Sequence, residues 1–352
     1  MRNQIICEDL EFIAKAPIPW KDLEGKNILI TGATGFLPAY MIELLLFLND
    51  NFFQKKVQIF ALARNKMKVL DRFQNYGKRP DLNFLIQDVC LPIIDEGTRF
   101  DFVIHAASLA SPKFYGVDPV GTILANTVGT ANLLALAEKH KSEAFLFFSS
   151  AEVYGDISSD RMPIREDCFG PLDPLLIRSC YAEGKRAGEN MCISWSQQYG
   201  LPVKIIRPFH TYGPGMSLDD GRVFADFVSD IVHGRNIQMT SDGSAVRAFC
   251  YLADAVVGFF MVLLKGSPAQ AYNIGNDLCK TSIVELAELL IGIFPEKRLK
   301  VVPSKAVNSP GYIKSKISVS VPDTCKIRAL GWSPSYSLKE GFARTIRSFS
   351  GE

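Results

Sequence analysis

Asn27-Ile-Leu-Ile-Thr31-Gly-Ala-Thr-Gly-Phe-Leu-Pro38 is the stretch that decides the fold. Its first five residues are a short apolar β run. A glycine turn follows, and Tyr40–Leu48 beyond it reads as helix. Gly32 permits a tight turn, and Gly35 lets backbone N–H groups approach a pyrophosphate at the start of the helix. Thr34, Phe36 and Leu37 complete the loop that would meet the phosphates. A first strand, a glycine turn and a first helix in this order point to a dinucleotide site. An ordinary strand-to-helix turn is the plain alternative. The third position, where Gly is usual, is Pro38. Proline is tolerated near the start of a helix, although it alters how closely the helix packs on the sheet.

Outward from this turn, apolar runs recur at Val57–Ala63, Asn83–Ile86, Phe100–His105, Phe145–Ser149 and Val203–Ile206. Helical segments lie between several of them, notably Thr122–His140 and Tyr181–Tyr199. Strand alternating with helix predicts an α/β fold with a Rossmann-type, doubly wound parallel sheet. The runs are apolar throughout, as strands buried on both faces should be. After Pro208 the loops carry more Gly, Asp and Pro, and helices such as Gly221–His233 and Ile283–Phe294 are more isolated. The division expected is a polar N-terminal extension (1–26) and a dinucleotide-binding domain (27–207). A smaller C-terminal substrate-binding α/β lobe takes 208–246 and 275–352, and the chain returns to the first sheet over 247–274.

Composition excludes several classes. The 352 residues carry 39 Lys plus Arg against 37 Asp plus Glu, a net charge of +2, which argues against a general nucleic-acid binder. The chain is 47% hydrophobic and 22% charged, ordinary for a globular protein. None of the eight cysteines forms a CxxC pair and the four histidines form no HExxH, so no metal site or disulfide framework is expected. Free thiols fit a reducing cytoplasm. The start, MRNQIICEDLEF, has early acids and no apolar core, so no secretory leader is expected from it. The pure apolar runs are too short to span a bilayer, and no membrane partner is expected.

Cofactor contacts are expected beyond the turn. The second strand normally ends in an acid that holds the ribose 2′-OH, but Ala61-Leu-Ala-Arg64-Asn65 has none. Arg64 suits a 2′-phosphate, which favours NADP, or stacks on adenine, which is neutral between the cofactors. NAD and NADP both stay open here. Asp88-Val89 ends the third run, where adenine is expected, and Ala106-Ala107 ends the fourth.

Tyr181-Ala-Glu-Gly-Lys185 puts a phenol and an ammonium four residues apart, on one face of a helix. A phenol titrating near pH 10 is a poor base at neutral pH unless a nearby Lys⁺ and a cationic nicotinamide ring favour the phenolate. A solvated helix face is the plain alternative. The spacing gains force from Phe148-Ser149-Ser150-Ala151-Glu152 at the end of the fifth run, where Ser150 is placed to hydrogen-bond the same substrate hydroxyl. Tyr181 and Lys185 are expected to touch the cofactor as well.

With these residues in order, the chain resembles the extended short-chain dehydrogenase/reductases that act on nucleotide sugars, the NAD-dependent epimerase/dehydratase family, from about Lys26 to Arg347. Among the branches it is most similar to the UDP-glucuronate decarboxylases. The matching segments are Ala107-Ser-Leu-Ala-Ser-Pro-Lys-Phe-Tyr115, Asp118-Pro-Val, Asn126-Thr-Val-Gly-Thr130 and Arg178-Ser-Cys-Tyr-Ala-Glu-Gly-Lys-Arg186. Thr211-Tyr-Gly-Pro214, Asp220-Gly-Arg-Val223, Val246-Arg-Ala-Phe-Cys-Tyr251, Pro322-Asp323 and Leu330-Gly-Trp332 complete the match.

The resemblance implies a hydride-transfer triad of Ser150, Tyr181 and Lys185, with Glu152 by the sugar C5. It implies Tyr115 near a substrate carboxylate, with Ser111 beside it as a substrate contact. Arg222 would line the nucleotide diphosphate pocket and Arg247 would contact the diphosphate or the carboxylate side, as planar donors suit phosphate. It also implies a tightly bound, regenerated NAD or NADP and a homodimer built on the helices near Thr122–His140 and Tyr181–Tyr199. Three departures bear on the substrate. Ala151 stands where some dehydratases carry an acid, His210 stands where Asn is usual, and Ser318–Val321 stands where an Arg is usual before the Pro-Asp. The implied activity is decarboxylation of a UDP-glucuronate-like substrate through a 4-ketone, in bacterial-type surface polysaccharide synthesis. A 4,6-dehydratase or epimerase is the alternative, and a non-catalytic dinucleotide-binding regulator is the third.

Overall fold

In the computed structural model of the chain, strands buried on both faces set the architecture. The structure describes residues 3–95, 97–303 and 317–350. Six strands come in sequence: β1 (Asn27–Thr31), β2 (Gln58–Ala63), β3 (Leu82–Ile86), β4 (Phe102–His105), β5 (Ala144–Phe148) and β6 (Val203–Pro208). The second lobe then contributes β7 (His210–Tyr212), β8 (Ile237–Gln238) and β9 (Val246–Tyr251). β10 (Gln270–Ile274) returns and pairs in parallel with β6. The result is a seven-stranded sheet in the order β10-β6-β5-β4-β1-β2-β3, with every neighbouring pair parallel. This is the doubly wound sheet predicted. β4 and β5 are buried at every residue, which explains their unbroken apolar sequence.

The direction of strand addition reverses between β1 and β4, and a crevice opens there beyond the strands' carboxyl ends. The helices of the first half are α1 (Gln4–Ala14), α2 (Phe36–Asn51), α3 (Lys66–Arg72), α4 (Pro119–Asn126), α5 (Val128–His140) and α6 (Ser179–Tyr199). The segment read as one helix over Thr122–His140 is two, broken at Thr127 with φ −115° and ψ −73°. The Thr127 hydroxyl bonds back to the Ile123 carbonyl at 2.9 Å, a local competitor that bends helices. With Thr127 between them, α4 and α5 make a 22-residue stretch long and apolar enough to cross a bilayer, more than the pure apolar runs suggested, yet both helices pack on α6. Glycine makes this packing possible. A Cβ on Gly188 would lie 2.5 Å from the Phe147 ring, so only glycine lets α6 approach β5 this closely.

Beyond β6 the chain adds α7 (Val223–Val232), α8 (Leu252–Lys265), α9 (Ile283–Ile293), α10 (Cys325–Arg328) and α11 (Leu338–Ser350), of which α8 returns to the main sheet. Around β9 it forms a small sheet with β7, β11 (Lys280–Ser282) and β13 (Val319–Ser320). β12 (Val301–Val302) pairs with β8. α8 is buried over Leu252–Leu263 and contacts β5, β6 and β10 beneath the main sheet.

The extension, read as polar, is a packed element. α1 buries Ile5, Leu10, Ile13 and Asp9 against α2, α8 and α11. Asp9 accepts hydrogen bonds from Tyr40 (3.1 Å), Tyr251 (2.6 Å) and Arg344 (2.7 Å), so one carboxylate ties α2, β9 and α11 together.

Candidate active site

A cleft of about 800 Å³ opens at the crevice between the sheet and the second lobe. Every residue the sequence analysis assigned to cofactor, catalysis or substrate lies on its wall. The turn supplies one end. Gly32 has φ +68°, and a Cβ there would stand 2.8 Å from Ala107 Cα. α2 starts at Phe36 with no side-chain cap, so its first N–H groups face the cleft without a side-chain acceptor. The Ser108 hydroxyl is a further cleft-wall group, buried without a partner. These residues fit a dinucleotide whose pyrophosphate rests on the turn.

Thr31 fixes the floor. Its Oγ1 accepts from Ala106 N (3.2 Å) and Ala107 N (3.1 Å) and lies 3.0 Å from His105 Nδ1. With two N–H groups donating to that oxygen, its own proton goes to Nδ1. His105 Nε2 then donates to Thr130 Oγ1 at 3.1 Å, because Thr130 gives its own proton to the Asn126 carbonyl. Burial, with Lys185 second, pushes His105 down to about 3, so the ring is neutral and structural.

The triad stands at the carboxyl end of β5. α6 presents Tyr181 and Lys185 on one face, and the turn after β5 carries Ser150. Lys185 Nζ donates to the Phe148 carbonyl at 2.5 Å and lies 5.8 Å from the Tyr181 ring centroid. Burial pushes Lys185 down to about 7. Burial also pushes Tyr181 up to about 12, against a hydrogen bond with Ser150 that lowers it. In the protein alone burial outweighs that hydrogen bond, and Tyr181 is held as the phenol.

Tyr115 stacks on Tyr181, ring centroids 5.2 Å apart and planes at 15°, and its hydroxyl donates to the Ala110 carbonyl at 3.1 Å. Arg178 pairs with Glu152 at 3.4 Å and sits over the Tyr115 ring at 5.9 Å. In the sequence Arg178 is the first residue of a matching segment and carries no role of its own. Only the fold shows that it faces Glu152.

The second lobe closes the cleft. Ser111 Oγ donates to the Asp220 carbonyl, and Arg222 donates to the Ala110 carbonyl at 2.9 Å while pairing with Asp220 at 3.1 Å. Arg247 donates to the carbonyls of Val246 (2.8 Å), Ile317 (2.8 Å) and Ser318 (3.1 Å). His210 begins β7 opposite Phe249, and its Nδ1 is buried without a partner. Burial, then Arg247 and Arg222, push His210 down to about 3.

Sequence reasoning also missed a network under the β5 turn. Glu189 accepts from Ser149 Oγ (2.5 Å) and from Arg207 (2.7 and 2.8 Å), and Arg207 donates to Tyr154 Oη at 2.9 Å. These residues are far apart in the chain, and no local spacing joins them. Among the described residues, no group of three or more His, Cys, Asp or Glu is placed to hold a metal ion.

Comparisons with known proteins agree with this geometry. UDP-glucuronic acid decarboxylase 6 of Arabidopsis thaliana is 34% identical over 318 residues, covering 90% of this chain and 86% of that protein. UDP-glucuronic acid decarboxylase 1 of Danio rerio is 33% identical over 357 residues, covering all of this chain and 80% of that protein. The solved UDP-glucose 4-epimerase of Thermotoga maritima shares the fold, with a TM-score of 0.77 at 24% identity over 92% of this chain and 98% of that one. Residues 28–275 match the family described as the NAD dependent epimerase/dehydratase family. The chain belongs to that NAD dependent epimerase/dehydratase family.

Proposed function

We propose that this chain decarboxylates a UDP-glucuronate-like nucleotide sugar through a 4-keto intermediate and is therefore a lyase. The observation that carries this reading is the Glu152–Arg178 pair standing in one cleft with Ser150, Tyr181 and Lys185. The names of the relatives at 33–34% identity support the same substrate class.

The bound dinucleotide supplies reversible hydride exchange at the sugar C4 and a cationic ring whose charge works against the burial that raises Tyr181. It would lie along the glycine turn, Arg64, Asp88–Val89 and Ala106–Ala107, with Tyr181 and Lys185 at its reactive end. Tyr181 takes the C4 hydroxyl proton, and Ser150 holds that hydroxyl by a hydrogen bond. Lys185 places positive charge beside the phenol and favours its anion. The 4-ketone turns the C5 carboxylate into a β-keto acid. The bond from C5 to the carboxylate carbon breaks, carbon dioxide leaves, and the electron pair becomes the enolate of the ketone. A proton taken from solvent reaches C5 through Glu152 or a water it holds, and replaces the carbon dioxide lost. Tyr181 then returns its proton to the C4 oxygen as the ketone is reduced, so the cofactor stays bound and is regenerated.

The second reading is a 4,6-dehydratase or epimerase working through the same ketone. It is favoured by Ser318–Val321, where the decarboxylases' usual arginine is replaced and Arg247 is held by main-chain carbonyls instead. The apolar face formed by Val120, Leu124 and Val128 of α4–α5 with Ile193 of α6 supports a homodimer. Eight free thiols support a cytoplasmic enzyme.

The test is mass spectrometry of the purified protein incubated with UDP-glucuronate and dinucleotide. A UDP-pentose and carbon dioxide are expected. An unchanged substrate, with loss of water or isomerisation in a panel of UDP-, dTDP-, GDP- and CDP-hexoses, would move the assignment to the second reading. Full biological function in a Tyr181→Phe variant would point instead to a non-catalytic regulator.

A further inference from the structure

The end of β2 decides which dinucleotide a cleft of this kind admits. A carboxylate there accepts the ribose 2′-OH and repels a 2′-phosphate, whereas a guanidinium attracts the phosphate. From Ala63 to Leu70 this chain carries Arg64, Lys66 and Lys68 and no acid. Arg64 and Lys68 line the cleft together with Asn65. Asn65 accepts from Lys68 N at 3.1 Å, which spends its carbonyl oxygen inside the chain.

Asp88, just past the end of neighbouring β3, lines the same cleft, and both of its oxygens are engaged. Oδ1 accepts from Cys90 N at 2.9 Å, and Oδ2 faces Arg64 at 3.6 Å. The pair is loose and Arg64 remains 55% exposed, so the guanidinium has donors left for an anion. A planar fork beside a mobile ammonium is the donor set that suits a phosphate dianion.

We propose that the cleft selects the 2′-phosphorylated dinucleotide, NADP in preference to NAD, with Arg64 as the principal phosphate contact and Lys68 as the second. This rests on the dinucleotide-dependent reading above. It departs from the cofactor in the family's description, and it assigns to two cleft-lining cations a task that adenine stacking leaves unexplained.

The test uses the full chain as purified. Nucleotide released on denaturation is identified by mass spectrometry, and the emptied protein is titrated with NADPH and with NADH by fluorescence. NADP(H) is expected in the released pool, with NADPH binding at least about tenfold tighter than NADH, the effect of one charge-assisted contact. Arg64→Ala should weaken NADPH about tenfold or more and leave NADH within about twofold. Lys68→Ala should do the same to a smaller degree. Released NAD, equal affinities, or equal weakening of both dinucleotides by Arg64→Ala would overturn the proposal and leave Arg64 an adenine contact. Binding of neither dinucleotide would sink the dinucleotide-dependent reading itself.

Discussion

Arg178 Nη2 stands 3.4 Å from Glu152 Oε1, so the carboxylate assigned to C5 chemistry faces a guanidinium from the loop that leads into α6. Both side chains are partly exposed to the cleft, at 21% and 29%. A substrate carboxylate arriving here meets the same cation and competes with Glu152 for it. Arg178→Ala is expected to lower kcat/KM by about ten- to a hundredfold, at and below the low end of the loss for a fully buried charge pair, because this pair is partly exposed. Arg178→Lys should recover part of it. Steady-state kinetics read both, and an Arg178→Ala enzyme with unchanged kcat/KM would remove this residue from the site.

Lys185 makes the site costly at low pH. Its ordinary value is 10.5 and burial brings it to about 7 in the fold. Below pH 7 both folded and unfolded chains hold the proton, and the burial cost is felt in full. Between about pH 7 and 10.5 only the unfolded chain keeps it, so this contribution to stability rises with pH across that window. Lys185→Met should therefore stabilise the fold in urea unfolding more at pH 6 than at pH 9, by roughly 3 kcal/mol, while turnover collapses. Equal gains at the two pH values would mean that the ammonium is not desolvated.

Asp9 should matter to stability far from the chemistry. It is fully buried, and Arg344 depends on it for a 2.7 Å ion pair. Asp9→Ala leaves Arg344 with Glu8 as its remaining carboxylate, at 2.9 Å, removes the acceptor of Tyr40 and Tyr251, and should cost about 2 to 3 kcal/mol in urea unfolding. Replacing both Asp9 and Arg344 by apolar residues should cost less than the single change.

His210 should leave no mark on the pH profile. Pushed down to about 3, it is neutral from pH 5 to 8. His210→Asn is expected to change the level of kcat/KM and the preference among sugar nucleotides without moving any inflection in that interval. An inflection present in the parent and lost in His210→Asn would show that the ring titrates during turnover.

The sheet was legible because a strand covered on both faces has no polar side to show, and the glycine turn because its geometry forbids a side chain. The triad was legible because helical spacing brings Tyr181 and Lys185 together. α1 was not, because Asp9 sits on its buried face and breaks the apolar pattern that Ile5, Leu10 and Ile13 would otherwise display. Its partners lie in α2, β9 and α11, beyond any local window. The break at Thr127 was hidden for a different reason. A threonine inside an apolar run looks helical until its hydroxyl is seen bonding the preceding turn. Arg178 belongs to a loop, where no periodicity says which way a side chain faces.

The Thr31 side chain has one oxygen, and all of its bonding capacity is used: two amides donate to it and its proton goes to His105. A ligand therefore gains nothing by rearranging that floor and loses nothing in ordering it. The clasp from Ser111 and Arg222 to the opposite lobe is different, because it joins loop to loop through a few main-chain carbonyls. The entropy of ligand capture is thus concentrated in the roof. A nucleotide sugar would meet a preorganised base, and the contacts that would have to rearrange around it are those between the two loops.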